Sequence, residues 1–108
     1  MHLCLIVETA DHEQVWNGFR LANTALDGGH RVSAFLLGEA VTAPDLEAKS
    51  DVNPHGVLVQ FRRNGGELLA CGTCMDSRDL EPTELRPEAG MSDLLELIES
   101  ADETITIG

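Results

Sequence analysis

The stretch from Leu3 to Leu37 constrains the fold more than any other part of the chain. It opens on an uninterrupted apolar run, Leu3 to Val7, ended by Glu8-Thr9-Ala10-Asp11. The run is too short for a helix and rich in branched residues, as expected of a strand buried on both faces of a parallel sheet. A helical period follows at Val15, Phe19, Ala22 and Leu26, with Asp11 placed to cap its start and Gly28-Gly29 to stop it. Arg31 to Leu37 (RVSAFLL) is a second strand-length run. Strand, helix and strand in so short a distance is the pattern of a right-handed crossover between parallel strands, which predicts an α/β architecture.

Gly38 to Gly56 carries Pro44, Pro54 and several acidic residues, and reads as a surface loop with one short helical turn, a candidate lid or subunit contact. Val57 to Ala70 (VLVQFRRNGGELLA) supports two readings, because Asn64-Gly65-Gly66 is a hairpin signal and equally a helix stop. Local pattern slightly favours the hairpin. A parallel strand at Glu67 to Cys71 needs a crossover before it, however, and this selects a helix over about residues 54 to 64. Ser92 is placed to cap a helix whose Leu94, Leu95, Leu97 and Ile98 face inward, and Thr104 to Ile107 makes a final strand. No linker, repeat or low-complexity stretch divides the chain, so residues 1–108 are read as a single domain.

Composition narrows the partners. Aromatic residues make up only 4% of the chain against 43% hydrophobic, so the core must be built from Leu, Val, Ile and Ala. Nineteen Asp and Glu against seven Lys and Arg give a formal charge of −12, which repels phosphate backbones and anionic membranes. Neither nucleic acid nor a membrane is an expected partner. No apolar run approaches the roughly 18 residues of a membrane span, and the start MHLCLIVET lacks a signal peptide's charged lead and cleavage site, so a cytoplasmic location is expected. The basic residues are six Arg to the single Lys49, and an acidic, lysine-poor surface is the composition expected of a halophilic habitat.

Cys4, Cys71 and Cys74 are an odd number of cysteines without a secretory signal, which favours reduced or redox-active thiols over a disulfide-stapled fold. Ala70-Cys71-Gly72-Thr73-Cys74 is the sharpest feature, with one thiol at a predicted strand end and the other about one helical turn later. Ligands of open α/β sheets sit beyond the carboxyl ends of strands, and free N–H groups of a following helix stabilise a thiolate. Cys71 is therefore the expected exposed, reactive thiol and Cys74 its helper, able to attack a disulfide, hold a persulfide or pair with each other. Three other readings stand beside this one. Both cysteines can be small buried hydrophobes. Zinc ranks lower, because a second ligand pair is absent and His55 or a subunit partner would have to complete the site. Asp76 and Arg78 either tune the thiols or form a solvated helix face. Cys4, early in the first strand, reads as core filler at the opposite end of the sheet. His2, His12, His30 and His55 show no mutual spacing, and surface or turn positions explain each. No nucleophile elbow, Walker loop or GxGxxG is present, which disfavours a nucleotide-binding enzyme, and the expectation is of neither a cofactor nor a resident metal.

The chain resembles the DsrE/DsrF-like family, and within it the YchN-like branch. The likeness is carried by the first strand and long helix, by Phe35-Leu36-Leu37-Gly38-Glu39-Ala40-Val41, by Leu69-Ala70-Cys71-Gly72-Thr73-Cys74 with Asp76 and Arg78, and by Gly90-Met91 through Leu94, Ala101 and Asp102. The resemblance implies a three-layer α/β sandwich of flavodoxin-like type, with a mostly parallel sheet flanked by helices. It also implies homo-oligomers such as trimers or hexamers, and sulfur transfer through a persulfide, with sulfur donor and acceptor proteins as partners. Cys71 matches the persulfide cysteine and Cys74 a second thiol of the YchN-like branch. The chain departs from the family pattern in two places. Glu8 to Glu13 lacks the usual glycine-containing turn, and Asp79 stands where glycine is common. A non-catalytic oligomeric module and a dithiol redox switch remain as alternatives to the sulfur relay.

Overall fold

The first apolar run becomes strand β1 (His2–Val7), in which every residue but Ile6 is buried, in a computed structural model that describes residues 1–108. Helix α1 (His12–Asp27) begins where the Asp11 carboxylate accepts the Gln14 N–H at 2.9 Å and ends at Gly28, whose N–H bonds the Thr24 and Ala25 carbonyls. The glycine-free turn before α1 is shaped by side chains instead, since Thr9 Oγ1 accepts the Asp11 N–H at 2.9 Å. The chain continues through β2 (Arg31–Leu36), a 3₁₀ segment (Gly38–Asp45), α2 (Pro54–Arg63), β3 (Glu67–Cys71), α3 (Gly72–Asp76), β4 (Glu88–Ala89), α4 (Met91–Ser100) and β5 (Glu103–Ile107).

The five strands form one sheet in the order β4-β3-β2-β1-β5, and every neighbouring pair is parallel. Helices α1 and α2 cover one face and meet through Phe19 and Phe61, packed edge to face with ring centroids 5.3 Å apart. Helix α4 covers part of the other face with Leu94 and Leu97, and His2 Nδ1 on β1 reaches the Ser100 carbonyl at its end. The result is a three-layer α/β sandwich. Its core is mostly aliphatic, and its aromatic members are Phe19, Phe35 and Phe61, all fully buried. No helix is long and apolar enough to cross a membrane.

The helix expected over about residues 54 to 64 forms as α2, and the hairpin that local pattern slightly favours does not: Asn64 caps the helix, and the Gly65 and Gly66 N–H groups bond the Arg62 and Phe61 carbonyls. Long-range pairing decides here, because β3 must lie parallel to β2, with Leu68 beside Ala34. The segment after β2 is not simply a surface loop. Ala40, Val41, Ala43 and Pro44 are buried, and the buried Arg86 ties the segment down by donating to the Val41 carbonyl at 3.2 Å and to Asp45 at 2.8 Å. Helix α4 is capped two residues earlier than expected, at Gly90, whose N–H donates to Asp93 at 2.8 Å, so Ser92 lies inside the first turn. Only Leu94 and Leu97 of α4 face inward, while Leu95 and Ile98 are exposed. Leu94 and Leu97, three residues apart, share the stripe that faces the sheet, whereas Leu95 and Ile98, each one residue further on, are turned about 100° away from it.

Candidate functional site

Cys71 closes β3 and is the residue from which α3 starts, with φ −64° and ψ 116°. Its sulfur accepts the backbone N–H of Cys74 at 3.4 Å, so the N-cap position brings the two cysteines together across one turn. The backbone between them is kept small for a reason outside the turn: a Cβ on Gly72 would come within 2.7 Å of the Glu88 carboxylate on β4. The second thiol is reached from the neighbouring strand. Where β2 ends, the Leu37 N–H bonds the Val7 carbonyl of β1 at 2.8 Å, and the next residue, Gly38, turns with φ +57° and donates its N–H to the Cys74 sulfur at 3.2 Å. Space does not demand glycine there, since an added Cβ would meet nothing; the left-handed backbone does. The Cys74 carbonyl is held as firmly, by Ser77 Oγ and by Arg78, both at 3.0 Å.

The thiols differ in exposure. Cys71 is only 4% exposed, whereas Cys74 is half-buried. Burial is the main cause that raises the Cys71 thiol above its ordinary 9.0, and the Cys74 thiol beside it pushes the same way. The backbone N–H groups of Cys74 and Thr73 oppose this without reversing it. The sequence-based expectation of an exposed Cys71 with a lowered pKa is thus corrected. The strand end does supply N–H donors, but it also sinks the sulfur beneath the surface, and desolvation of the charged form outweighs them. Cys4 is raised too, by burial first and the Glu67 carboxylate second. It sits beside Ser33 in the register, level with Glu67 at the start of β3 and so at the far end of the sheet from Cys71.

Arg78 serves the backbone rather than the sulfur, and Asp76 is exposed. Asp79, where glycine is common in the pattern, adopts φ +54°, a conformation that glycine takes freely and Asp tolerates. The histidines stay apart. His30 faces the N-terminus at 2.9 Å and His55 the Pro44 carbonyl at 2.8 Å. His2 departs from the surface position expected of it, being buried with Nε2 2.8 Å from Ser33 Oγ. No three His, Cys, Asp or Glu side chains come together as a metal site. The largest cleft, about 780 Å³, runs along α2 past His55, Arg62 and Arg63 to Glu67 and Glu84, and does not reach the cysteines. Sequence reasoning missed Gly38 as a partner of Cys74 and Arg86 as an anchor. Gly38 directly after the strand-length run Arg31 to Leu37 is the available signal for the first, and nothing local marks the second.

Comparison with known proteins agrees with this architecture. The model of the DsrE/DsrF-like family matches residues 1–107. The crystal structure of the ychN protein from E. coli is similar with a TM-score of 0.89 and 21% sequence identity, covering 99% of each chain. No curated protein matches the chain.

Proposed function

The chain belongs to the DsrE/DsrF-like family, and from that premise we propose that it is a small cytoplasmic sulfur-relay protein that carries a persulfide on Cys71, with Cys74 as its second thiol. The observation that carries this reading is the meeting of two thiols at one strand end, where Cys71 Sγ accepts the Cys74 N–H and Cys74 Sγ accepts the Gly38 N–H. A cysteine thiolate attacks the terminal sulfur of a donor persulfide R–S–SH. The donor S–S bond breaks, R–S⁻ leaves, and Cys–S–SH forms with no external oxidant or reductant. Burial of Cys71 suits storage, because a persulfide there is shielded from water and stray reductants. In this reading the protein is a sulfurtransferase-type carrier, served by a sulfur donor protein and emptied by an acceptor protein.

Assembly into a homo-oligomer, such as a trimer or hexamer, belongs to the same proposal. Met91, Leu95 and Ile98 line the outer side of α4 with 60%, 57% and 38% exposure, and β5 leaves an open sheet edge with Ile105 exposed. Light scattering is expected to give a mass above one 11.7 kDa chain. A dithiol switch is the second reading, favoured by the same adjacency of Cys71 and Cys74. The deciding experiment is mass spectrometry without reductant after exposure to inorganic polysulfide. A mass gain of one sulfur, mapped to Cys71, is expected. A Cys71–Cys74 disulfide without sulfur gain supports the switch, and no change at all supports a non-catalytic module.

A further inference from the structure

Two thiols in one corner raise the question of which receives sulfur first. We propose that Cys74 is the entry thiol, held for attack by the Gly38 N–H, and that it passes the sulfur inward to Cys71 for storage. The inference rests on the sulfur-relay reading and adds an order of events, together with a positioning role for Gly38.

Access is the first argument. A nucleophile must approach the donor's S–S bond along its axis, and Cys71, 4% exposed, offers little room for a donor of any size, whereas Cys74 lies half-buried above it. Placement is the second. Every polar group of Cys74 is fixed: its N–H on Cys71 Sγ, its carbonyl under Ser77 and Arg78, and its sulfur on the Gly38 N–H at 3.2 Å. A backbone N–H aimed at a sulfur stabilises negative charge there with no reorganisation, as donors aimed at developing charge do in general. Cys71 receives the N–H of its own turn, yet burial and the neighbouring thiol together hold its proton above the ordinary value.

The steps balance. The Cys74 thiolate attacks the terminal sulfur of R–S–SH, releasing R–S⁻ and leaving Cys74–S–SH. Cys71 then attacks that outer sulfur, forming Cys71–S–SH, while its proton passes to the departing Cys74 sulfur. The net second step, Cys74–S–SH plus Cys71–SH giving Cys74–SH plus Cys71–S–SH, is redox neutral.

The test uses the whole chain and inorganic polysulfide as donor, with rates followed by peptide mass mapping. Wild type is expected to gain sulfur on Cys71, and Cys74→Ser to load Cys71 several-fold more slowly, because the donor must then reach a sulfur that is only 4% exposed. Cys71→Ser is expected to gain sulfur on Cys74 and not retain it. Alkylation of the unmodified protein near neutral pH, which needs no variant, is expected to label Cys74 before Cys71. Gly38→Val is expected to slow both Cys74 alkylation and sulfur loading at a given pH, and Gly38→Asn, which accepts positive φ and so keeps the N–H in place, to restore both rates. Equal loading rates in wild type and Cys74→Ser, or Cys71 alkylated first, overturn the entry order and leave the relay standing. Release of sulfide with a Cys71–Cys74 disulfide overturns the inward transfer. No sulfur gain in wild type overturns the relay reading, and the entry order with it.

Discussion

The two ends of the parallel sheet hold cysteines in opposite surroundings. At the amino end of the strands, side chains satisfy one another: His2 Nε2 meets Ser33 Oγ at 2.8 Å, Ser33 Oγ donates to Glu67 at 2.6 Å, and Arg31 stands 3.6 Å from the same carboxylate. The His2 N–H donates to Asp102 at 2.6 Å, and the Asp102 N–H returns to the His2 carbonyl at 2.8 Å. Cys4 is sealed beside this network and receives no N–H. At the carboxyl end, the strands leave the sheet through turns, and backbone donors of Cys74 and Gly38 find sulfur instead of oxygen. Parallel strands bring all such exits to one edge, so freed N–H groups converge there and not at the other. Burial alone therefore does not distinguish Cys4 from Cys71 in this fold; the backbone donors at the strand end do.

The sharpest way to break the comparison is to exchange cysteines for serine at each end in turn. Cys71→Ser is expected to reduce retained persulfide to background, and Cys4→Ser to leave it unchanged in mass maps after polysulfide exposure. Equal losses would mean that the ends are not separate. Next in size is Ser33→Ala, which leaves His2 Nε2 and Glu67 without their shared partner. It is expected to cost about 1–3 kcal/mol in urea unfolding while the Cys74 alkylation rate stays as in wild type. A changed alkylation rate would show that the network reaches across the sheet.

A smaller effect concerns pH. Cys4 and Cys71 both hold their protons above the ordinary value of 9.0 in the folded chain. The unfolded chain ionises first as pH rises, so the stability from these protonated thiols is present below 9.0 and is lost as pH climbs through the raised folded values. Melting temperature is expected to fall above that pH, and Cys4→Ala to flatten the fall. An unchanged slope would assign the loss to Cys71 alone and so sharpen the contrast. Smallest is salt. With a charge of −12 spread over the chain, potassium chloride is expected to raise the melting temperature by screening, while the ratio of Cys74 to Cys4 alkylation stays constant. A ratio that follows salt would make the difference between the ends one of surface charge rather than of backbone donors.

Much of the fold was legible because its signals are local or topologically forced. Asp11 capping α1 and the apolar runs of β1 and β2 could be read directly, and the span Glu67–Cys71 followed from the demand for a parallel partner. β4 was not legible: Glu88–Ala89 is two residues long, without any period, and exists only because β3 offers an edge to pair with. The outward side of α4 was misread because Leu95 and Ile98 are apolar, and hydrophobicity does not say whether the surface that covers a residue belongs to the same chain.

For the candidate site, the sequence by itself determined that two thiols lie one turn apart at the end of a strand, since spacing and strand pattern are properties of contiguous residues. Tertiary structure decided everything that depends on neighbours distant along the chain. It brought Gly38, thirty-six residues before Cys74, to within 3.2 Å of that sulfur. It also buried Cys71 and left Cys74 as the more accessible thiol. The reason is physical: a thiol's reactivity is set by desolvation and by the donors around it, and in a parallel sheet those come from whichever strand ends pack alongside, which no local stretch of sequence specifies.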